Sequence, residues 1–332
     1  MAKKQEHPHN LQGPVLLKSQ NTSESESPKA EISFEQIDQE NKIKLSNDLI
    51  PYSASYRYSI LLKNESLAPI TEVKAIIKFP AFLKISRYSP LVLESKQSKA
   101  DKKGYYQLQF EIEELSEKSE TQIICYFSPN SNNNIGELNT YITFVNNKDY
   151  IRVINSKPLE IRIKPATIQP KIIPSSEIST FLKTKDMKKG IKSLGIRIPS
   201  KKNTNLDLFF NFIDQNIKLH KFQLIAKDSE KKIAWYFGTD LATSQDILVI
   251  GQIVSNKVEF LAASRNHQII ISLLSNLADN FKKRASSIGG LIKSSKDIYE
   301  LECKYCGAVL PYFPKKGESV ECTNCKKEQI LW

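Results

Sequence analysis

The sequence predicts three folded units in series: an all-β sandwich, an α+β unit of helices on an antiparallel sheet, and a small cysteine-bearing ribbon. Three observations carry this. Apolar residues alternate with period two from about residue 32 to 165. The period then lengthens toward that of a helix, with strands interspersed, up to about residue 284. Four of the five cysteines fall within residues 303–332.

Residues 1–30 come first and are polar, ending in SQNTSESESPK. Such a stretch buries too little apolar surface to offset the entropy of ordering, so a disordered tail is expected. His7 and His9 lie in it and are read as part of a bland tail. The tail has charges but no apolar core of signal-peptide length, and no apolar run suffices to cross a bilayer. A cytoplasmic protein without a transmembrane segment is the expectation.

Residues 31–166 are read as the sandwich. Tyr56, Tyr58, Ile60 and Leu62 share one face of a strand, as do Val73, Ala75, Ile77 and Phe79. Leu108, Phe110 and Ile112 alternate in the same way, and so do Ile123, Cys125 and Phe127. Turn signals such as KNES, SPNSNNNIG and VNNKD separate the runs, which is the pattern of a sandwich. Cys125 lies on the inward face, and no histidine occurs in residues 32–166 to activate it, so it reads as a structural thiol.

Residues 167–286 are read as the α+β unit. Ser175 or Ser176 can cap a helix that carries Ile178, Phe181 and Leu182. A second helix, after Asn203 or Thr204, offers Leu206, Phe209, Phe210, Ile213 and Ile217 at helical spacing. Four strands follow (FQLIAK, KIAWYFG, DILVIGQIV and KVEFLAAS), with a turn at Ser255–Asn256. Ile270, Leu274, Leu277 and Phe281 then form one stripe of a long closing helix. The expected order is helix, helix, four strands, helix. His267 reads as a surface residue, His220 as structural, and Trp235 as a core candidate on its strand.

Residues 287–300 have the Gly and Ser content of a linker, and residues 301–332 form the ribbon. Cys303, Cys306, Cys322 and Cys325 make the pattern C-x2-C-x15-C-x2-C. Two such knuckles supply four thiolates for one tetrahedral Zn2+, a structural site with no coordination position left open. The competing reading is a redox dithiol, which a set of four cysteines disfavours. Gly307 provides the left-handed backbone that lets the first knuckle turn back. Tyr305, Tyr312, Phe313 and Trp332 are candidate exposed aromatics of the ribbon.

Charge is uneven. The chain carries a net +12. Residues 167–290 hold 19 basic and 10 acidic side chains, and eight of the bases lie between Lys183 and Lys202. Such a field favours an anionic partner: an acidic peptide, nucleic acid or an anionic membrane surface. The bland alternative is a lysine-rich solvated face. No GxGxxG, P-loop, GxSxG or HExxH occurs, and the carboxylates are scattered, so no enzyme is expected.

Three stretches carry a resemblance. LNTYITFVNNKDYIRVINSKPLEIRIKPATIQP looks like final sandwich strands running into a Pro-containing link, SSEISTFLK like a first platform helix, and DILVIGQIVSNKVEFLAASRNHQIIISLLSNLADNF like a closing hairpin and final helix. Together they resemble the two-lobed appendage ("ear") of clathrin-adaptor and coatomer large subunits, an immunoglobulin-like sandwich followed by an α+β platform, over about three-quarters of the chain. The resemblance implies an adaptor of vesicle trafficking that docks short acidic and aromatic peptides on its platform. Candidate contacts are Phe181, Lys183, Lys185, Lys188 and Lys189. The family's pocket often has a Trp on the first platform helix, where this chain offers Phe181. The long helical trunk is absent, and the ribbon is foreign to the family. The alternative is a nucleic-acid binder that uses the ribbon with the basic segment 183–202.

Overall fold

A computed structural model describes residues 39–91, 93, 95–130, 134–197, 206–254, 257–287 and 297–331. The expectations for residues 1–30, the Asn203 or Thr204 cap, Lys201, Lys202, the Ser255–Asn256 turn and Trp332 lie outside them.

The period-two segment folds into two facing antiparallel sheets. Its strands are β1 (Ile43–Tyr52), β2 (Ser55–Asn64), β3 (Ile70–Pro80), β4 (Leu83–Ser89), β5 (Ser95–Gln97), β6 (Tyr105–Leu115), β7 (Ser119–Pro129), β8 (Asn134–Val145), β9 (Ile151–Asn155) and β10 (Leu159–Ile163). One sheet has the order β1-β2-β7-β4, and the other β10-β8-β3-β6-β5 with β9 also on β8. The alternating residues read from sequence face inward: Tyr58, Ile60, Val73, Ile77, Phe79, Phe110 and Phe127 are buried in one core. The Tyr58 hydroxyl bonds Thr140 Oγ1 at 2.7 Å across the two sheets, so this buried phenol keeps a polar partner.

The third sheet is antiparallel and built from β11 (Ile168–Pro170), β12 (Lys188–Ile196), β13 (Gln223–Asp228), β14 (Ile233–Asp240), β15 (Gln245–Val254), β16 (Lys257–Ser264) and β17 (Ile298–Glu300). Its order is β11-β14-β15-β16-β12-β17, with β13 on β14. The helices are α1 (Glu177–Lys183), α2 (Leu206–Leu219) and α3 (His267–Ser287). Two expectations are corrected. A strand, β12, intervenes between the first two helices, and Ile298–Glu300, expected in a linker, add an edge strand to the sheet. The first helix stops at Lys183 because Thr184 turns to extended backbone and Asp186 takes a left-handed φ of 65°. Ser176 holds the N-cap position without a side-chain capping bond.

The sheet has two differently used faces. On the inner one, Phe209, Ile213 and Ile217 of α2 and Ile270, Leu274, Leu277 and Phe281 of α3 pack with Tyr236, Val249 and Phe260. The helix α3 also touches the sandwich. Its Ile271 belongs to the sandwich core. Ser275 Oγ donates to the Pro129 carbonyl, and Ser272 Oγ donates to Lys164 O at 3.0 Å. His267, expected at the surface, is half-buried at this junction, with Nε2 2.8 Å from Ser53 O. On the outer face, α1 lays Phe181 edge-on to Phe237, with ring centroids 5.0 Å apart.

The ribbon closes the chain with a hairpin of β18 (Ser319–Glu321) and β19 (Glu328–Ile330). Its own core is small: Leu301, Leu310 and Val320 with Cys303 and Cys322. No helix among the described residues is long and apolar enough to cross a membrane.

Candidate functional site

Two places stand out: the four sulfurs of the ribbon and the outer face of the third sheet.

The backbone N–H of Gly307 donates to Cys303 O at 2.8 Å, and that of Lys326 donates to Cys322 O at 2.9 Å. Each bond closes a knuckle. Gly307 and Lys326 take φ of 73° and 60°, the left-handed geometry that a tight return requires. The knuckles bring the four Sγ atoms within 4.8 Å of one another, with Cys303–Cys325 at 3.6 Å and Cys306–Cys322 at 3.5 Å. These separations are far beyond a disulfide bond of about 2.05 Å. A tetrahedron of sulfurs around zinc at about 2.3 Å has edges of about 3.8 Å, so the donor set fits one thiolate-bound ion. Burial pushes the Cys306 thiol up, but hydrogen bonds from Asn324, the Ala308 N–H and neighbouring thiols outweigh it and hold it below the usual thiol range. Burial raises Cys303 above that range. Thiolate is the form that binds metal. With all four sulfurs as ligands, a bound ion would have no position open to substrate.

The outer face follows from the register of the strands. Trp235 lies opposite Ile250, Ile250 opposite Leu261, and Leu261 opposite Ile191, which makes one row across β14, β15, β16 and β12. All four residues are half-buried. Trp235 is therefore an outer-face residue and not core, which corrects the sequence expectation. The neighbouring row, Phe237, Leu248 and Ala263, is buried beneath Ile178, Phe181 and Leu182 of α1. Between helix and sheet lies a cleft of about 550 Å³, lined by Ile178, Leu182, Lys183, Lys189, Ala226 and Trp235.

Of the expected contacts, Lys183 and Lys189 flank this cleft and are exposed. Lys185 and Lys188 are exposed in the segment that joins α1 to β12, but outside the cleft wall. Phe181 is turned inward to hold α1 on the sheet and does not line the cleft. Sequence reasoning missed Trp235, Ile250, Leu261 and Ile191 as a set. Their alternation marked each strand, but the strand order that aligns them was not readable.

Several other bases of this segment are paired with carboxylates. Lys192 bonds Glu300 and Glu302, Lys257 bonds Glu259, and Lys218 and Lys227 meet Asp214. Cys125 is fully buried and burial pushes its thiol far up, as befits a structural residue.

Comparisons with known proteins add little. No family model and no curated protein matches the chain. Structural similarity reaches BcpA, the major pilin subunit of Bacillus cereus, at 15% identity over 48% of this chain and 50% of that one, with a TM-score of 0.26. It also reaches a non-cellulosomal cohesin from Archaeoglobus fulgidus, at 9% identity over 37% of this chain and 91% of that one, with a TM-score of 0.25. The chain thus spans about half the length of the pilin. No conclusion rests on these likenesses.

Proposed function

We propose that this chain is a non-enzymatic cytoplasmic adaptor that docks short acidic peptides bearing an aromatic or aliphatic residue on the outer face of its third sheet. The observation that carries this reading is the half-exposed row Trp235–Ile250–Leu261–Ile191 beside a cleft flanked by Lys183 and Lys189. The row supplies an apolar floor and the lysines supply complementary charge. A sandwich followed by a helix-flanked antiparallel sheet supports a role like that of vesicle-coat appendages, and the ribbon is read as a structural zinc module.

The magnitudes suit a weak, exchangeable contact. One aromatic side chain burying 150–250 Å² contributes roughly 4–6 kcal/mol at about 25 cal/mol per Å². Each exposed lysine–carboxylate pair adds at most about 1 kcal/mol. Losses of rigid-body and side-chain freedom offset much of this, which leaves dissociation constants on the order of 10–1000 µM.

The test is anisotropy of the zinc-loaded full chain against fluorescein-labelled hexapeptides composed of Asp, Glu, Phe and Leu. Binding should weaken several-fold in Lys183→Glu/Lys189→Glu and be lost in Leu261→Glu. If no such peptide binds, or if a mixed-sequence DNA duplex binds more tightly and with a steep salt slope, peptide docking gives way to nucleic-acid binding.

A further inference from the structure

The ribbon is built into the third sheet rather than tethered to it. Strand β17 pairs with β12, opposing Ile298 to Ile196, Tyr299 to Gly195 and Glu300 to Leu194. Three residues later the chain reaches Cys303. The Leu301 N–H donates to Ser193 O at 2.9 Å, and the Leu310 N–H donates to Leu301 O at 3.0 Å, so backbone bonds run from the sheet into the ribbon.

The side chains tie the same seam. Lys192 is 3% exposed, and its ammonium bonds Glu300 at 2.7 Å and Glu302 at 3.2 Å, both from the segment that enters the ribbon. Lys257, 5% exposed, donates to Leu310 O at 2.9 Å. Phe313 lies on Gly195: a Cβ there would come 2.5 Å from a ring carbon, so only glycine admits this ring. A third body joins at Gly307, where an added Cβ would strike the guanidinium of Arg87. Arg87 belongs to the sandwich and stacks 3.3 Å from the Tyr126 ring centroid.

Alternation now locates the ribbon relative to the cleft. On β12, Lys189, Ile191, Ser193 and Gly195 share the outer face, because Gly190 and Leu194 lie on the inner one. The row through Lys189 is the one that α1 covers. The row through Gly195 and Lys257 is the one that Phe313 and Leu310 meet. Ser193 and Glu259, in the row between Ile191 and Gly195, are already buried, with Glu259 held by Lys257 and Gln252. The half-exposed row through Ile191 is thus a single strip bounded by α1 on one side and by the ribbon seam on the other. It crosses four strands, about 14 Å at 4.8 Å per step, which suits roughly four extended residues.

We propose that the cysteine ribbon is the second wall of the docking groove, so that metal occupancy governs whether the groove can hold an acidic, apolar-bearing peptide of a partner protein. This rests on the peptide-docking reading above. The ribbon's five-residue buried core is too small to persist alone, and a structural zinc in such a module supplies its folding free energy. Metal loss would release Phe313 and Leu310 together, opening that side of the strip.

The experiment uses the full chain carrying Trp332→Phe, so that Trp235 is the sole tryptophan. The probe is the tightest of the labelled acidic hexapeptides. Three forms are compared with the zinc-loaded chain: the chelator-stripped protein, Gly195→Ala, and Leu261→Glu. Gly195→Ala displaces Phe313 while leaving all four cysteines in place, so it remains informative even where stripping unfolds the seam. Support is a loss of affinity of at least tenfold on stripping and at least threefold in Gly195→Ala, with one zinc per chain retained in that variant and a changed Trp235 emission. If the stripped protein and Gly195→Ala bind like the loaded chain while Leu261→Glu does not bind, the groove stands and the ribbon wall is wrong. If the loaded chain itself fails to bind, the docking reading falls and this inference falls with it.

Discussion

Replacing Lys192 by Met tests the physics that joins ribbon and sheet. The side chain is 3% exposed, and its ammonium lies 2.7 Å from Glu300 and 3.2 Å from Glu302. Methionine preserves most of the volume and removes the charge. Glu300 keeps Lys282 at 2.7 Å and Lys84 at 3.7 Å. Glu302, 15% exposed, has no other ion-pair partner among the described residues. Removing one member of a buried pair costs about 3–5 kcal/mol, chiefly through the charge left behind. Because Glu300 stays compensated, the expected loss is near the lower end, about 3 kcal/mol. At 2–4 °C per kcal/mol for a unit of this size, the thermal midpoint should fall by roughly 6–12 °C. Adding Glu302→Gln removes the orphaned charge and should restore about half of the loss, giving a double-mutant coupling above about 1 kcal/mol. Urea unfolding in the Trp332→Phe background, followed by Trp235 emission, reads both numbers. A drop below about 1 kcal/mol in the single variant, or strictly additive effects in the double variant, would refute the claim that this seam is held by buried charge.

Three further outcomes are expected. The wild-type chain should carry one zinc by elemental analysis and Cys322→Ser none, and equal zinc in both would remove the four-sulfur site. Stability should fall in acid through Glu300, whose burial pushes its carboxyl up but whose neighbours Lys192, Lys282 and Lys84 outweigh this and hold it far below the usual carboxylate range. A depressed folded value means that its contribution is present above the unfolded pKa of about 4.3 and is lost as pH falls below it. Urea midpoints at pH 6, 4 and 3 should therefore decline less steeply in Glu300→Gln than in wild type, and parallel declines would argue against this assignment. Cys125, fully buried with its thiol pushed up, should resist iodoacetamide in the native state and react only on unfolding; rapid native alkylation would contradict the buried placement.

What could be read from the sequence tracks the distance over which each constraint acts. The sandwich strands were legible because alternation is local: Tyr56, Tyr58, Ile60 and Leu62 report their shared face within seven residues. The cysteine cluster was legible because each knuckle is a four-residue unit. Strand β12 was hidden because one of its inward positions is Lys192, a residue that reads as solvated until Glu300 and Glu302 arrive from more than a hundred positions away. The apolar row was hidden because it is a property of strand order. Trp235, Ile250 and Leu261 are close in sequence, but Ile191 joins them only because β12 crosses over to pair with β16.

The same topology bears on how far the lobes act as one body. Helix α3 places Ile271 in the sandwich core and Ile270 in the core of the third sheet, on adjacent residues. Arg87 then meets the ribbon at Gly307, so the sandwich contacts both the long helix and the cysteine ribbon. A closed ring of contacts, sandwich to α3 to sheet to ribbon to sandwich, resists hinge motion more than a serial chain of lobes would, because opening any one joint strains the others. The outer row of the third sheet lies outside this ring, and its Trp235, Ile250, Leu261 and Ile191 remain half-exposed. Rigidity on the inner side and incomplete cover on the outer side are together what a preorganised docking face requires, since a peptide that meets an already ordered floor loses only its own freedom on binding.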